Sequence, residues 1–183
     1  NWNSSEAQVI DGNLTVTSDL TIDKGTTIYF KKGASLIIAD NAKLTVNGAL
    51  NEEVKFRSAR HDNKYDSIPD QWKKIELGPN STSKINYVKI IGGDTGLLVN
   101  NSSLEISNAK IVNNQSYGIL ANNSTIKGYN LLVNNSNLAS LAIESGGSYE
   151  FYHSTFANYF NLRTSAGPAY SVYLSNSDSE NNI

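Results

Sequence analysis

The sequence predicts an all-β solenoid, because short strand-like segments recur at a nearly fixed interval and are separated by bends rich in Asn, Ser and Gly. GLLVNN from Gly96 returns as GILANN from Gly118 and more weakly as SLAIES from Ser140, so the copies are evenly spaced. Apolar residues alternate over short runs, which is the periodicity of strands, and no apolar run keeps helical spacing for the ~10–12 residues that a helix needs. We expect about six or seven coils of roughly 21–24 residues, each with three short strands.

Six short apolar runs predict the first two complete coils. They cover residues 14–16, 20–22, 28–30, 36–38, 44–46 and 54–56. Leu36 follows Leu14, and Leu44 follows Leu20, at nearly the interval that separates Gly96 from Gly118, so equivalent strands stack coil on coil. We interpret residues 1–13 as a lead-in that covers the first coil, because a bare solenoid end exposes both core and strand edge.

Residues 57–71 interrupt the repeat and are predicted to form a loop insertion, since they are charged, contain Pro69 and show no alternation. Trp72 closes this insertion, and the coil resumes at residues 75–77. The insertion brings together four oxygen-bearing side chains that suit calcium, although their spacing lacks the central Gly and terminal Glu of an EF-hand. These candidate calcium ligands are Asp62, Asn63, Asp66 and Asp70.

A second phrase repeats beyond the insertion, as KIVNN from Lys110, LLVNN from Leu131 and TFANY from Thr155. The recurring Asn pairs are predicted to stack into ladders at the bends, because Asn tolerates left-handed backbone and its amide can bond to a neighbour. Residues 170–174 are predicted to be one more strand, and residues 175–183 a frayed tail. Because no cap is recognisable, we expect a single β-helix domain, residues 1–183, that is part of a longer solenoid.

Composition narrows the function. A formal net charge of −2 favours neither nucleic acid nor an anionic membrane as a general partner. The chain has no Cys, so disulfides and thiolate metal sites are excluded. No run is apolar enough to predict a membrane span. We expect a monomer that is extracellular or on a bacterial cell surface, its export signal removed.

The order of these motifs resembles a known family. LTV, LTI, GTTIYF, GASLIIADNAKLTVNGAL, VKFRSA, a Trp and then NSTSKINYVKI follow one another as in exported right-handed parallel β-helix proteins of the pectate-lyase-like class, of a type common in the Bacteroidota. The resemblance covers nearly the whole chain and implies a right-handed parallel β-helix. The class includes polysaccharide lyases, glycosidases and members without known activity, so the fold alone does not indicate a function.

In pectate-lyase-like enzymes the substrate lies along the first sheet, so the residues predicted to point outward there are the first to consider. If Leu97 and Val99 point inward, the outward column consists of Thr15, Ile37, Glu76, Leu98, Leu120 and Ala142. A lyase face needs several carboxylates for calcium and a basic residue, which this column does not provide. Its aliphatic members, Ile37, Leu98, Leu120 and Ala142, are covered by the insertion or a terminal segment, or they form a docking surface for a protein or another domain.

The third sheet is predicted to carry a basic outward column. Its members are Tyr29, Lys55, Lys89, Lys110, Leu131 and Thr155. Three lysines on successive coils, roughly 5 Å apart, either solvate the surface and are balanced by neighbours such as Glu105, or bind an anionic glycan.

Two classes of function remain open from the sequence. The leading hypothesis is a non-catalytic exported or cell-surface domain for glycan binding, adhesion or display, with Tyr29, Lys55, Lys89 and Lys110 as ligand-binding residues. The alternatives are a polysaccharide lyase or glycoside hydrolase whose site is completed outside this chain, and a purely structural spacer. Candidate catalytic carboxylates for the enzyme are Glu76, Asp94 and Glu144.

Overall fold

The computed structural model describes residues 1–60, 62, 64–159 and 169–175. Nearly all regular structure in these residues is β-strand. The first eight strands are β1 Gln8–Ile10, β2 Asn13–Val16, β3 Leu20–Asp23, β4 Thr27–Phe30, β5 Ser35–Ile38, β6 Lys43–Asn47, β7 Val54–Ser58 and β8 Trp72–Leu77. The next nine are β9 Thr82–Ile91, β10 Gly93–Asn100, β11 Ser103–Asn114, β12 Tyr117–Asn122, β13 Ser124–Ser136, β14 Ala139–Ile143, β15 Gly147–Tyr152, β16 Thr155–Ala157 and β17 Tyr170–Leu174.

The strands wind into a right-handed β-solenoid of about seven turns with three faces, as predicted. The first face is a parallel sheet in the order β2-β5-β8-β10-β12-β14-β17. The second face holds β3, β6, the first halves of β9, β11 and β13, and then β15. The third face holds β1, β4, β7, the second halves of β9, β11 and β13, and then β16. The coils therefore begin with three separate strands, two of the three merge into one bent strand in β9, β11 and β13, and they are separate again as β15 and β16.

The register confirms most of the predicted repeat. Leu14 pairs with Leu36, and Leu36 pairs with Ile75 across the insertion. On later coils Ile119 pairs with Leu141, as the even spacing of the repeat predicts. All six strands predicted before the insertion, and the strand at residues 170–174, are present.

The predicted equivalence of Lys110 and Leu131 is wrong. Lys110 pairs with Leu132, so the true step is one residue longer, and Leu132 in turn pairs with Thr155. Because side chains alternate across a strand, this shift reverses the two leucines. Leu131 is buried at 3% exposure, whereas Leu132 points outward at 37%.

The bends repeat in register and are built on left-handed backbone. The corner between the second and third faces has φ values of 47° to 53° at equivalent positions of four coils, Tyr87, Asn108, Asn130 and His153. Asn108 donates from Nδ2 to Oδ1 of Asn86 at 2.9 Å, and Asn130 donates to Oδ1 of Asn108 at 2.8 Å. These amides form a ladder outside the Asn pairs for which the sequence predicts one, and it supplies local hydrogen bonds to a backbone conformation that most residues avoid.

A second amide ladder lies at the corner between the third and first faces. Asn135 donates to Oδ1 of Asn113 at 3.3 Å, and both residues have positive φ. The equivalent pairs are therefore Asn113 with Asn135 and Asn114 with Ser136, rather than the pairing of Asn134 with Asn113 that the shorter predicted step implies.

The core fills the inside of the coil with aliphatic side chains stacked from turn to turn. Trp72 is its largest fully buried residue, and its ring stacks on Phe30 with centroids 4.3 Å apart. The indole Nε1 donates to the carbonyl of Ile91 at 2.9 Å, which satisfies its one polar atom. Trp72 thus joins the end of the insertion to the core.

The insertion and the lead-in differ from their predicted bounds. Arg57 and Ser58 belong to β7, so the loop begins only at residue 59, and it contains a 3₁₀ turn at Tyr65–Ser67. Residues 1–13 contain β1, and the backbone of Trp2 pairs with that of β3, so the lead-in forms part of a first coil. Of the predicted tail, residues 176–183 lie outside the described residues.

Candidate functional site

Three lysines of the third face stack in register on successive coils. Lys55 pairs with Lys89, and Lys89 pairs with Lys110, as the alternation predicts. Tyr29 does not join this column, because its partner on the next coil is Arg57, while Thr27 stands opposite Lys55. Parallel strands lie about 4.8 Å apart, so the lysines define a short basic line along the solenoid axis.

Lys89 and Lys110 of this line form one wall of an open groove that follows the corner between the second and third faces, and Lys55 lies beyond the groove lining. The groove has a volume of about 490 Å³. Its other side chains come from the corner positions and from the turn before β7, and they include amides, an imidazole and two leucines. The residues that line the groove and are not buried are Leu50, Glu53, Tyr87, Lys89, Asn108, Lys110, Asn130, Leu132, His153 and Thr155.

The charge of the groove is positive on balance. Nζ of Lys89 lies 3.1 Å from Oε1 of Glu53. This hydrogen bond from Lys89 is the main reason that the pKa of Glu53 is lowered, and the charge of Lys55 adds to the effect. Lys55 and Lys110 form no ion pair with any residue that the structure describes, and Lys110 is exposed. Two lysines and one carboxylate therefore line the groove, and Lys55 adds a third positive charge close enough to act on Glu53.

Two lysines of the second face, Lys84 and Lys127, are in contrast paired with carboxylates. Lys84 lies 3.1 Å from Glu105, and Lys127 lies 3.7 Å from Glu150, so signs alternate along that column. Glu105 is therefore not the neighbour of the basic line that the sequence suggests, because the structure pairs it with Lys84 on another face. Glu105 therefore does not offset the positive charge of the groove lysines.

A cavity of about 540 Å³ beside the insertion is larger than the groove. Its cations are already engaged, since Lys31 pairs with Asp11, Lys32 pairs with Asp70, and the guanidinium of Arg60 lies 4.1 Å above the ring of Tyr65. We therefore regard the groove as the stronger candidate for binding an anion.

The candidate catalytic carboxylates lie on three different coils of the first face. Glu76 pairs with Lys74 at 2.8 Å, Asp94 accepts a hydrogen bond from the hydroxyl of Ser116 at 2.6 Å, and Glu144 follows β14. Three strand steps, or roughly 14 Å, separate the coils of Glu76 and Glu144. The two carboxylates of a glycosidase lie at most ~9.5 Å apart, so this pair does not have that geometry.

The candidate calcium ligands have separate partners. Asp66 pairs with Arg57 at 2.6 Å, and Asp70 pairs with Lys32 at 2.6 Å. Oδ1 of Asp62 accepts from the backbone amides of Lys64 and Tyr65, and Asn63 lies outside the described residues. Within the described residues no three Asp, Glu, His or Cys side chains are grouped to hold a metal. The calcium site stays a prediction.

The outward column of the first face has the predicted register. Leu98 pairs with Leu120, and Leu120 pairs with Ala142. Glu76 stands between Ile37 and Leu98, so the aliphatic surface is interrupted by a charge. The insertion hydrogen-bonds instead to the corner between the third and first faces, through the backbone of residues 70–71 to Gly92 and Gly93 and from Asn113 to Asp66. Docking of a protein on this column stays a prediction.

The lysines of the groove are predictable from the sequence, but several of its other residues are not. Glu53 was missed because it lies in a turn, where alternation gives no direction for a side chain. Tyr87, Asn108, Asn130 and His153 were missed as a set because their equivalence depends on the corner, where the backbone changes direction. The one available signal was that Asn108 and Asn130 are as far apart in sequence as Gly96 and Gly118.

The three-sided parallel coil makes this chain a parallel β-helix repeat protein. Comparison with protein-family models, with curated proteins and with solved structures finds no match. The fold is therefore established by the structure itself, and the narrower resemblance to the exported type common in the Bacteroidota gains no support from these comparisons. No helix in the described residues is long and apolar enough to cross a membrane.

Proposed function

We propose that this chain is a non-catalytic, exported or cell-surface β-helix domain that binds an anionic glycan along Lys55, Lys89 and Lys110, of which the last two line the groove. The observation that carries the proposal is the in-register lysine line, in which Lys55 and Lys110 form no ion pair with a described residue. A polymer that presents carboxylates or sulfates at regular intervals matches cations repeated at the strand spacing.

The remaining groove residues suit a sugar. Asn108 and Asn130 offer amide donors and acceptors beside the lysines, and Tyr87 and Leu132 offer apolar surface for ring carbons. The groove is open along the axis, as a site for a chain rather than for a small molecule would be. Ionic contacts to an exposed groove are screened by salt, so we expect weak binding at high ionic strength.

The enzyme alternative has less support. A lyase or glycosidase needs charged groups converging on one bond, whereas the carboxylates of the first face lie on separate coils with partners of their own. The spacer alternative rests on the stacked core and the amide ladders, which any β-helix of this kind needs. It therefore does not explain why three lysines stack in register on successive coils.

A glycan array probed with the purified domain, with and without calcium, tests the proposal. We expect binding to sulfated or uronate-containing glycans, with no dependence on calcium, and no shortening of the bound glycan on prolonged incubation. Cleavage would overturn the non-catalytic assignment. Absence of binding to every anionic glycan would overturn the glycan assignment and leave the spacer in its place.

A further inference from the structure

A small pocket lies on the first face, between β12 and β17 and away from the groove. All five residues of β14 are buried, including Ala142 on the outward side of the strand and Ala139, which lines the pocket. Outward residues of a surface strand are buried only when larger neighbours overhang them. The neighbours here are tyrosines, since Ala139 pairs with Tyr117 on one side and Tyr170 on the other, and Ala142 pairs with Tyr173.

Ala139, between Tyr117 and Tyr170, leaves a recess of about 180 Å³. Its lining consists of Tyr117, Leu138, Ala139, Glu144, Tyr170 and Tyr173. The rings of Tyr170 and Tyr173 lie 5.3 Å apart, inclined at 48°, and both remain about two-fifths exposed at 42% and 37%. The recess is thus aromatic on several sides and open to solvent.

Glu144 is the only charged side chain among the described residues that line the recess. The hydroxyl of Tyr117 lies 3.5 Å from Oε1 of Glu144, and Glu144 forms no ion pair with any residue in the described ranges. Burial, and then the charge of Glu144, raise the pKa of Tyr117, which fits a site of negative potential. Aromatic faces are themselves negative at their centres. The recess therefore combines three electron-rich rings with one carboxylate.

We propose that this pocket binds an alkylammonium group, with Tyr117, Tyr170 and Tyr173 around the cation and Glu144 as its counter-ion. Rings near a carboxylate recognise quaternary ammonium through cation–π attraction and charge. A lysine or arginine ligand is less suited, because the described lining offers its several N–H donors one carboxylate and otherwise only tyrosine hydroxyls among its side-chain acceptors. The source of the ammonium is either a free small molecule or a lipid headgroup, which share this chemistry.

Calorimetric titration with choline tests the pocket. The neutral isostere 3,3-dimethylbutan-1-ol is the ligand control, because it has the same shape without the charge. We expect saturable choline binding that is at least about threefold stronger than binding of the isostere. Equal binding of the two compounds, or no saturable binding of choline, would overturn the proposal.

Two variants locate the binding. Glu144→Gln removes the counter-ion at an exposed position, and Tyr173→Leu removes one ring, so each is expected to weaken choline binding by about threefold or more. Glu105→Gln is the matched control, since it removes an exposed carboxylate from the second face and is expected to leave binding unchanged. Equal affinity of wild type and Glu144→Gln, with unchanged circular dichroism, would contradict the assignment.

A further experiment with phosphatidylcholine vesicles distinguishes a lipid headgroup from a free small molecule as the source of the ammonium group. Co-sedimentation that Glu144→Gln abolishes would identify a headgroup, whereas choline binding without co-sedimentation would identify a free ligand. Either result supports the ammonium site. Vesicle binding that is unaffected by both variants would place that interaction elsewhere and count against the pocket.

Discussion

Asparagine holds the corners of this coil through two properties of one side chain. It accepts a left-handed backbone more readily than most residues, and its amide can both donate and accept. Asn108 uses both properties, with φ of 50°, a hydrogen bond donated to Asn86 and another accepted from Asn130. Each amide of the ladder therefore offsets part of the cost of its left-handed backbone and also adds a hydrogen bond between coils.

Two substitutions at Asn108 separate these contributions. Asn108→Gly keeps the backbone free to adopt positive φ but loses both amide bonds, at a cost of about 1–2 kcal/mol. Asn108→Ala loses the bonds and also places a Cβ in a left-handed conformation, which adds roughly 1–2 kcal/mol. Urea unfolding should therefore give a free energy of unfolding that decreases from wild type to Asn108→Gly to Asn108→Ala. An alanine variant as stable as the glycine variant would show that the corner is not strained.

Glu53 makes a pH-dependent contribution to stability. Its pKa is lowered in the folded protein by the hydrogen bond from Lys89. The ionised carboxylate therefore adds stability that is present above the ordinary carboxyl value of about 4.3 and is lost as the pH falls through the lowered value. The partly exposed pair is worth less than about 1 kcal/mol.

Unfolding of wild type and Glu53→Gln across pH 3–7 measures this contribution. We expect the wild type to be slightly more stable at pH 7 and the difference to vanish towards pH 3. A difference that grows on acidification would contradict the sign. Because Glu53→Gln also frees Lys89, the same variant should bind an anionic glycan more tightly at pH 7.

At the scale of the strand, neighbouring coils of the first face approach each other so closely at Gly118 that a side chain there would meet backbone. A Cβ at Gly118 would lie 2.5 Å from the carbonyl oxygen of Ser140 and closer still to a methyl of Val133. The equivalent position on the next coil is Ser140, which is itself fully buried and donates its hydroxyl to the carbonyl of Ala157 at 2.8 Å. Equivalent residues of one column thus differ in what they tolerate.

The contrast predicts unequal effects of alanine at the two sites. Gly118→Ala should destabilise by about 2–4 kcal/mol, because backbone and a buried methyl must both move. Ser140→Ala should cost only about 1 kcal/mol for one hydrogen bond. Thermal unfolding of the two variants measures the difference, and equal losses would contradict the packing described here.

The strands show how much of the fold could be predicted from the sequence. Alternation and the even spacing of the repeat predicted the first face correctly, because Leu97, Ile119 and Leu141 are inward aliphatics flanked by recognisable bends. The sequence LLVNN gave the wrong partner for Lys110, because either of two adjacent leucines can point outward and the repeated Asn pair indicated Leu131 instead of Leu132. The prediction for Tyr29 was wrong in register only. Its side chain points outward as predicted, but it lies opposite Arg57 rather than Lys55 on the next coil.

Several residues that determine the charge and shape of the groove cannot be predicted from the periodicity of the strands. Glu53 lowers the net charge of the site from a turn, and His153 takes a corner position that Asn holds on neighbouring coils. Neither role follows from an apolar pattern, because turns and corners are set by the three-dimensional course of the coil. The pocket between β12 and β17 could not be predicted for the same reason, since it depends on Ala139 lying between tyrosines on neighbouring coils.

The whole molecule is a stack in which each coil contacts only its neighbours. Stability in such a stack is a sum of nearest-neighbour terms, so central coils are held from both sides and end coils from one. Strand β11 pairs with β9 and β13, whereas β17 pairs with β14 on one edge and its residues are exposed. Local opening is therefore expected to be easiest at the ends.

Hydrogen exchange measures this gradient. We expect backbone amides of β11 to exchange more than about tenfold more slowly than those of β1 and β17 under native conditions. Similar protection along the whole solenoid would show a single cooperative unit and contradict the stacked picture.

The central claim is that the lysines of the groove, rather than the surface charge in general, bind an anionic glycan. It is tested most directly by calorimetric titration of dextran sulfate into two double variants with equal loss of charge. Lys89→Gln with Lys110→Gln removes groove cations, and Lys84→Gln with Lys127→Gln removes cations that pair with glutamates on the second face. We predict a loss of affinity of about tenfold or more for the groove variant and about twofold or less for its control. Equal losses in the two variants, or no loss in either, would contradict the claim.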